Sequence, residues 1–407
     1  MSLRVAIVGC GTAGAAAALF LARAGHTVTV FERVADPRPV GAGITLQPTG
    51  QAVLARLGLL AAVVTHGARV DRLHAQTATG RTLVDLRYAD VDPTLFGLGV
   101  HRGALFSTLF AAVQGEPGVT LHLGVEMVGV TSRGTERWLR STQDEHGPFD
   151  LVVVADGSIS ELHASAGVPY RNEPYPWGAL WFVAKDADDR AGTTIDQLVD
   201  GPQRLCGILP TGLPPGGEHR CASLFWSLRA DRVDAWRAAG LESWKSEVRA
   251  LHPRTAPLLD QVDDLDEVLF TRYRDVSMPR WHGEGVVFLG DAAHATSPQL
   301  GQGANLALWD AMVLADVLAG GGSIADYTKL RRGHLGYYQF ATRALTPVFQ
   351  GDLRLVGWLR DLVFPWSAWL APLRWRMVRT MMGVDTGVLW GAIPLSEVRG
   401  LIEGPRG

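Results

Sequence analysis

Three glycines close to the amino terminus have the spacing of a nucleotide-binding loop. The run Gly9-Cys10-Gly11-Thr12-Ala13-Gly14 follows the apolar segment Arg4-Val5-Ala6-Ile7-Val8 and precedes an alanine-rich segment that favours a helix. In such a loop the first glycine permits a tight turn, the second admits a pyrophosphate, and the third lets helix and strand pack closely. The N-terminus of the helix presents free N–H groups to the phosphate. Gly9, Gly11, Thr12, Ala13 and Gly14 are therefore predicted to bind a dinucleotide.

An acidic residue at the end of a second segment completes this pattern. Thr27-Val28-Thr29-Val30-Phe31 is typical of a strand and is followed by Glu32 and Arg33. A carboxylate about 20 residues beyond the glycines can accept a hydrogen bond from a ribose hydroxyl. Glu32 and its neighbour Arg33 are therefore assigned to the nucleotide site. The pattern predicts an adenine dinucleotide, but it does not by itself distinguish FAD from NAD.

Two later segments end in the same kind of turn. The apolar run Leu151–Ala155 leads into Asp156-Gly157, and the apolar run Val286–Leu289 leads into Gly290-Asp291. Unbroken apolar runs of this length predict strands that are covered on both faces, as in a parallel sheet. Ligands of such sheets bind beyond the carboxyl ends of the strands. We therefore expect Asp156, Asp291 and the glycine loop to meet at one site.

The glycine loop, the Asp156-Gly157 turn and the stretch from Gly290 to Asp310 together resemble the flavoprotein aromatic hydroxylases of the para-hydroxybenzoate hydroxylase type. Two shorter matches are Val40-Gly41-Ala42-Gly43-Ile44 and His101-Arg102-Gly103-Ala104-Leu105. The likeness runs from residue 4 to about residue 315, so it covers most of the chain. The resemblance implies FAD as cofactor, with Gly43 and Ile44 along the isoalloxazine ring and Arg102 beside the ribityl or phosphate part.

The stretch after Gly290 also has a direct physical interpretation. The carboxylate of Asp291 can accept hydrogen bonds from ribityl hydroxyls, Pro298 stiffens the turn, and the glycines let the backbone approach a flat ring. A helix that begins near Leu306 directs its N-terminus at the N1/C2=O edge of the flavin, where reduced flavin is negatively charged; this stabilises the anion by roughly 0.3–2 kcal/mol. The backbone at Pro298 and Gly303 is assigned this catalytic contact. The remaining cofactor contacts are assigned to Gly301, Gly303, Ala304 and Asn305.

The expected fold class is α/β, with a Rossmann-like FAD-binding domain, an inserted and mostly antiparallel β-sheet substrate domain, and a C-terminal helical segment. The FAD-binding domain is predicted at residues 1–75, 96–170 and 268–345, the substrate domain at 76–95 and 171–267, and the helical segment at 346–407. Within the substrate domain, a helix is predicted at Val233–Leu251. The sheet of the substrate domain is expected to cover the flavin. The candidate contacts to the substrate are Trp181, Ile208, Phe225, Trp226, Tyr273 and Pro298.

The resemblance implies hydroxylation of an aromatic or heteroaromatic small molecule. NAD(P)H, a transient donor, reduces FAD, O₂ forms a flavin C4a-hydroperoxide, and the distal oxygen passes to the ring. Three alternatives stay open: an FAD-dependent oxidoreductase or reductase without oxygen insertion, a flavin-dependent halogenase, and a flavin-binding protein without turnover. The absence of lysine before Lys185 disfavours the halogenase. The family has an arginine after the Asp-Gly turn, whereas this chain has His163, which we interpret as a surface residue; the choice between NADH and NADPH is left open.

Composition excludes several other classes. With 407 residues, 47% of them hydrophobic and 19% charged, the chain is neither disordered nor fibrous. A formal net charge of −3 argues against nucleic acid as a partner. Three cysteines without metal spacing predict no metal site and a reducing cytoplasm. No signal peptide is expected, because a strand pattern begins almost at Met1.

The carboxy-terminal part of the chain is rich in leucine, tryptophan and arginine. No apolar run reaches the roughly 18 residues that a membrane span needs, so no integral membrane span is expected. We interpret this part as a helical pack or a dimer contact rather than a helix on a membrane surface, because Pro365 and Pro372 should interrupt it. A monomer or homodimer is expected.

Overall fold

The structure, a computed structural model, describes residues 2–39, 41–388 and 391–404, and only the backbone of residues 367–369. Val40, part of one short family match, lies outside the described residues. The strands are β1 (Arg4–Val8), β2 (Thr27–Glu32), β3 (Gly43–Leu46), β4 (Ala68–Val70), β5 (Arg72–Thr77), β6 (Thr82–Arg87), β7 (Gly97–His101), β8 (Val119–Leu123), β9 (Met127–Arg133), β10 (Glu136–Ser141), β11 (Glu145–Phe149), β12 (Leu151–Val154), β13 (Arg171–Lys185), β14 (Thr194–Asp200), β15 (Arg204–Gly212), β16 (Cys221–Arg229), β17 (Leu269–Ser277), β18 (His282–Gly283) and β19 (Val286–Phe288). The helices are α1 (Thr12–Arg23), α2 (Pro48–Arg56), α3 (Leu60–His66), α4 (Arg102–Gly115), α5 (Leu162–Ser165), α6 (Val233–Ala239), α7 (Leu241–Leu251), α8 (Ala256–Leu259), α9 (Asp291–His294), α10 (Gly303–Ala319), α11 (Ile324–Phe349), α12 (Arg354–Trp369), α13 (Ala371–Met382) and α14 (Leu395–Glu403).

The apolar runs that end in glycine or aspartate turns form one sheet, in the order β18-β19-β12-β1-β2-β8. Strand β1 pairs in parallel with β12 and β2, and β12 pairs in parallel with β19. All residues of β12 and β19 are buried, which explains their unbroken apolar sequences. The prediction of a parallel sheet is confirmed, and the carboxyl ends of its three central strands lie side by side.

A second, seven-stranded sheet has the order β17-β13-β16-β15-β14-β5-β6 and is antiparallel except where β14 meets β5. It begins at Arg72 and continues to Ser277, beyond the predicted limits at residues 76 and 267. The division of the chain into domains stays a prediction. The single helix predicted at Val233–Leu251 is wrong: Gly240, with φ of 86°, separates α6 from α7.

The two large sheets are joined through a small sheet of order β3-β7-β4. The amide of Gly43 in β3 donates to the Ser223 hydroxyl of β16 at 2.8 Å. At Gly99 in β7, a Cβ would lie 1.8 Å from the carbonyl oxygen of Pro210, so only glycine allows β7 and β15 to approach this closely. One face of the seven-stranded sheet is thereby held against the parallel-sheet module.

The carboxy-terminal part is helical, as predicted, but its prolines act differently from the prediction. Pro365 lies inside α12 rather than ending it, and Pro372 lies in the first turn of α13, where the missing N–H costs nothing. Helix α12 packs against β6, the edge strand of the seven-stranded sheet. Within the described residues, no helix combines the length and apolar character that crossing a bilayer requires.

Candidate active site

The amino-terminal glycine loop is shaped by steric contacts at two of its three glycines. A Cβ at Gly9, where φ is 94°, would lie 2.6 Å from the carbonyl oxygen of Ala155, and one at Gly14 would lie 1.9 Å from that of Gly9. At Gly11 no atom lies within 4 Å of the Cβ position. The loop is thus tightly packed on the protein side and open at Gly11, directly before the N-terminus of α1.

Glu32 holds this loop through both carboxylate oxygens. Its Oε2 accepts a hydrogen bond from the amide of Cys10 at 2.9 Å, and its Oε1 accepts one from the amide of Val34 at 3.0 Å. The side chain lies at the end of β2 beside the exposed Arg33. The predicted ribose-binding carboxylate is therefore fixed next to the loop, with acceptor capacity left over.

Asp156 lies at the end of β12, where its Cα is 2.8 Å from the Cβ position of Gly9. Its Oδ1 is buried and has no hydrogen-bond partner within the described residues. Burial raises the pKa of the Asp156 carboxyl to about 6, although Ser160 and Arg33 act in the opposite direction. An acceptor oxygen that is buried beside the glycine loop calls for a donor from a ligand.

The turn after β19 meets the same loop. A Cβ at Gly290, where φ is 58°, would lie 2.9 Å from the Cβ of Ala13, so the methyl group of Ala13 packs against this turn. Asp291 is exposed at the start of α9, and its Oδ1 lies 3.8 Å from the Cβ position of Gly303, where α10 begins. The structure therefore brings together Asp156, Asp291 and the glycine loop, as expected from the sequence.

The segment between α9 and α10 presents its backbone to solvent. Pro298 is exposed at the start of a short 3₁₀ turn, and Gly301 is left-handed, with φ of 61°. Gly303 is exposed and Ala304 is partly exposed in the first turn of α10. These residues have the accessible backbone that contact with a flat ring would need.

The side chain of Asn305 is bonded within the protein. Its Oδ1 accepts from the amide of Gln47 at 2.8 Å, and its Nδ2 donates to the carbonyls of Thr45 and Gly301, both at 3.1 Å. The amide side chain is buried and its oxygen and nitrogen are both bonded within the protein. The side chain of Asn305 therefore holds β3 against the loop, and a contact of its main-chain amide with a cofactor, in the first turn of α10, stays a prediction.

Below the Gly290 turn lies a buried ionic network that the sequence analysis missed. Asp310 accepts from the amide of Gly290 at 3.0 Å, from His294 Nε2 at 2.6 Å and from Arg331 Nε at 2.8 Å. Burial alone would raise the pKa of Asp310, but His294 and Arg331 hold it far below its usual value. The available signal was a carboxylate in the middle of α10, where the neighbouring residues Leu306–Met312 are otherwise apolar.

Arg102 and the Gly43 turn lie together, in agreement with their assignment to one ligand. The amide of Arg102 donates to the carbonyl of Ala42 at 3.0 Å, and a Cβ at Gly41 would lie 3.2 Å from Arg102 Cδ. Arg102 is exposed at the first turn of α4, and Ile44 follows Gly43 in β3. The roles of these residues toward FAD stay predictions.

Three of the predicted substrate contacts share the face of the seven-stranded sheet that carries Ser223. Trp181 pairs with Phe225 across β13 and β16, with ring centroids 5.2 Å apart. Alternation along β17 puts Tyr273 on the same face, and the Trp181 indole donates to its hydroxyl. We call Trp181, Phe225 and Tyr273 the aromatic wall.

Ile208 and Trp226 lie on the opposite face of that sheet, so their assignment to the substrate is corrected. Both are buried in a separate core with side chains of α6, α7 and α8, including Trp244. The cause is strand alternation: Trp226 immediately follows Phe225 and must point the other way. These two residues stabilise the sheet and do not line the aromatic wall.

Gln299 and Gln350 connect β13 to the Pro298 turn and, like the nearby Tyr175, were not found from the sequence. Gln299 Nε2 donates to Gln350 Oε1 at 2.8 Å, and Gln350 Nε2 donates to the carbonyl of Gly178 in β13 at 3.3 Å. The Tyr175 hydroxyl is buried and has no hydrogen-bond partner among the residues that the structure describes, and burial raises its pKa. No motif marks these positions, since they are brought together only by the fold.

His163 is buried, which corrects its interpretation as a surface residue. Its ring stacks between Tyr170 and Phe288, with centroids 4.2 and 4.6 Å away. Nε2 lies 2.7 Å from the carbonyl oxygen of Ala292, and Nδ1 lies 3.2 Å from that of Ser160. His163 therefore links the turn after β12 to α9.

Known proteins with similar sequences identify the family of this chain. A family model described as FAD binding domain matches residues 2–323. The 6-methylpretetramide 4-monooxygenase of Streptomyces rimosus is 30% identical over 324 residues, which cover 78% of this chain and 75% of that protein. The chain belongs to the family of FAD-dependent aromatic hydroxylases. The kynurenine 3-monooxygenase of Salinispora tropica is also similar to this hydroxylase, with 30% identity over 366 residues covering 81% and 77% of the two chains.

A solved structure confirms the fold class of this FAD-dependent monooxygenase. Klebsiella pneumoniae HpxO complexed with FAD and uric acid superposes with a TM-score of 0.79 at 19% identity, covering 94% of this chain and 97% of HpxO. The nucleotide side also fits FAD on its own geometry. Space is open at Gly11, Asp156 Oδ1 lacks a donor, and the exposed N-terminus of α10 lies beside Asp291.

Proposed function

We propose that this hydroxylase uses NAD(P)H and O₂ to hydroxylate an aromatic or heteroaromatic small molecule held against the aromatic wall. The observation that carries the proposal is the shared face of Trp181, Phe225 and Tyr273. That face is tied to the Gly43 turn through Ser223 and to the Pro298 turn through Gln350. A flat ring packs well against aromatic side chains in offset or edge-to-face arrangements.

On the nucleotide side, the chain's own groups match the parts of FAD. Gly11 and the N-terminus of α1 at Thr12 would bind the pyrophosphate, and Glu32 would bind a ribose hydroxyl. Asp156 and Asp291 would accept hydrogen bonds from ribityl or ribose hydroxyls. This assignment supplies a donor for the unpartnered Oδ1 of Asp156.

FAD, when bound and reduced by NAD(P)H, activates O₂ and supplies one oxygen atom to the ring, while the other leaves as water. The N-terminus of α10 at Gly303 stabilises negative charge placed before it, by up to about 2 kcal/mol when partly buried. Pro298 holds the preceding turn in place. Gln299 and Gln350 fasten this turn to β13.

Tyr273 is the phenol of the aromatic wall. Burial raises its pKa, so the hydroxyl keeps its proton at neutral pH while accepting a hydrogen bond from Trp181. It can therefore donate a hydrogen bond to a polar substituent of the substrate. In the mechanism we propose, Tyr273 orients the ring and is not a base.

The charges at the margin of the wall favour a ring without a carboxylate. Arg343 binds Asp275 through two hydrogen bonds of 2.7 and 2.8 Å, and Arg229 is paired with both Asp231 and Asp352. A carboxylate substrate would have to displace these aspartates from their arginines. We therefore propose a substrate that is neutral at pH 7.

The test is oxygen-dependent turnover. The purified holoenzyme is mixed with NADH or NADPH and with neutral phenols, indoles and hydroxypyridines, while O₂ uptake, H₂O₂ and products are measured. The proposal expects a hydroxylated product that carries ¹⁸O from ¹⁸O₂. Reduction of the flavin and of an added compound without O₂ uptake would instead identify the reductase alternative, and no flavin reduction by either donor would identify a binding protein without turnover.

A pair of variants ties turnover to the wall. Phe225→Ala should keep its full FAD content while raising KM and the share of H₂O₂ by about tenfold, because water gains access beside the ring. Phe340→Ala is the matched control, since Phe340 is 57% exposed on α11. If Phe225→Ala and the control form the same amount of product per NAD(P)H consumed, the aromatic wall is not part of the substrate site.

A further inference from the structure

The outward side of α12 is apolar, which reverses the usual arrangement of a surface helix. The side chains on this side are between 44% and 67% exposed, and we call them the α12 face: Leu355, Trp358, Leu359, Leu362, Val363 and Trp366. The inward side contains Phe364, whose ring centroid lies 5.5 Å from that of Phe349, and two residues that are not apolar. Gly357 lies against Pro202, and the buried Arg360 donates to the carbonyl of Gly201 at 3.1 Å.

The α12 face is too large to be an ordinary surface feature. Leu370 extends it at the carboxyl end and is 57% exposed. With Leu370, the face exposes roughly 800 Å² of apolar surface, whereas the largest patch on a typical monomer is roughly 300–600 Å². A stable protein–protein interface buries about 800 Å² per partner. The face therefore matches one half of a standard interface.

We propose that a second copy of this chain covers the α12 face, through antiparallel pairing of the two α12 helices about a two-fold axis at Leu362. A two-fold contact requires that each residue meets its counterpart in both directions. The face satisfies this condition, because Trp358 and Trp366 lie four residues before and after Leu362. Trp358 of one protomer then packs against Trp366 of the partner subunit, and Leu362 meets Leu362 of the partner subunit.

Charge also favours a second copy over a lipid surface. Among the described residues of α12, Arg354 is the exposed cation, and its place at the amino end is unfavourable for its own helix. Antiparallel pairing moves Arg354 beside the carboxyl end of the partner helix, where a cation is stabilised. The arginines that would have to bind acidic headgroups are already paired: Arg360 with Asp361, and both Arg376 and Arg379 with Asp385.

A cross-linking experiment tests the position of the axis. The native cysteines, Cys10, Cys206 and Cys221, are buried, so Leu362→Cys adds an accessible thiol. With diamide as oxidant at micromolar protein concentration, Leu362→Cys should form a disulfide-linked dimer on non-reducing gels. Leu330→Cys, at a position that is 65% exposed on α11, should stay monomeric. Equal cross-linking of both variants, or of neither, would overturn the proposed axis.

A mass measurement on the holoenzyme tests the partner. The native protein should have twice the chain mass of 43.9 kDa by light scattering at 1–50 µM. Trp358→Glu should raise the dimer dissociation constant by about 100-fold or more, since a charge replaces a central aromatic contact in both copies. Phe340→Glu is the matched control and should leave the mass unchanged, and retained FAD absorbance in both variants shows that they fold.

The outcomes that overturn the proposal are distinct. A native mass of one chain over the whole concentration range excludes the dimer. A dimer that Trp358→Glu leaves intact places the interface elsewhere. Sedimentation of the native protein with phosphatidylcholine or phosphatidylglycerol vesicles, lost in Trp358→Glu but not in Phe340→Glu, would assign the face to a lipid surface instead.

Discussion

On the nucleotide side of the active site the backbone sets the shape, whereas on the substrate side the side chains do. Gly9 and Gly14 are required because any Cβ would collide with a carbonyl oxygen, and Glu32 bonds main-chain amides. The aromatic wall instead consists of ring contacts between strands whose backbones are regular, such as that between Trp181 and Phe225.

This difference shows which substitutions each side tolerates. A change at the glycine loop alters the path of the chain or fills the space for a phosphate, so it should act on FAD retention in an all-or-none manner. A change in the aromatic wall leaves strand pairing intact and should act by degrees on substrate binding and coupling. The predictions below separate these two kinds of effect.

Gly11→Val should abolish FAD retention while leaving the apoprotein as stable as the native one. The residue has an ordinary φ of −75° and no neighbour within 4 Å of its Cβ position, so the protein itself accommodates valine. The added atoms occupy the place of the pyrophosphate. Flavin absorbance per chain and the thermal unfolding temperature of the apoprotein measure the two effects. Gly115→Val, at another open glycine, is the control, and a yellow Gly11→Val protein would contradict the assignment.

Asp310→Asn should lower the free energy of unfolding by about 3–5 kcal/mol, because it leaves the buried Arg331 without its anionic partner. Asp316→Asn is a matched control in the same helix. Its partner Arg56 is exposed, so the loss should be below about 1 kcal/mol. Urea denaturation of the two variants gives the difference. Similar losses in both would show that the network below the Gly290 turn contributes no more than a surface pair.

Motifs on the nucleotide side were readable from the sequence because local backbone requirements restrict residue type at fixed spacing. Gly9, Glu32 and Asp156 each lie at or within two residues of a strand end, Gly11 and Gly14 follow at the start of α1, and the parallel pairing of β1, β2 and β12 brings them together. The residues that support them from a distance were missed. His163, at a position where the family motif has arginine, proved to be buried.

The substrate side was only partly readable, because composition identifies apolar residues but not the face they occupy. Trp226 and Phe225 are adjacent and chemically alike, yet one packs against α6 to α8 and the other belongs to the aromatic wall. Assigning faces requires the register against β13, which depends on contacts distant in sequence. Likewise, Gln350 reaches Gly178 only through the fold.

Trp226→Ala and Trp181→Ala should separate the two faces of the seven-stranded sheet. Trp226 is 4% exposed in the separate core, so its truncation should lower the free energy of unfolding by about 3 kcal/mol or more. The folded variant should form as much product per NAD(P)H consumed as the native enzyme. Trp181 is partly exposed, so its truncation should cost less stability but lower the yield of product per NAD(P)H consumed. Urea denaturation and product yield measure both effects. A larger loss of stability in Trp181→Ala and a larger loss of product yield in Trp226→Ala would mean that the substrate binds at the opposite face of the sheet.

The smallest predicted effect is a pH dependence of stability that arises from Asp156 on the nucleotide side. Its folded pKa of about 6 lies above the value of 3.8 for the unfolded chain, so its contribution to stability is complete below pH 3.8 and is lost as pH rises through 6. Between pH 5 and pH 7 the apoprotein should lose roughly 1 kcal/mol relative to Asp156→Asn, which cannot ionise. Parallel urea titrations of the two apoproteins measure this difference, and parallel pH curves would show that Asp156 ionises normally. If FAD binds as proposed and donates a hydrogen bond to Oδ1, saturating FAD should shift this loss to lower pH.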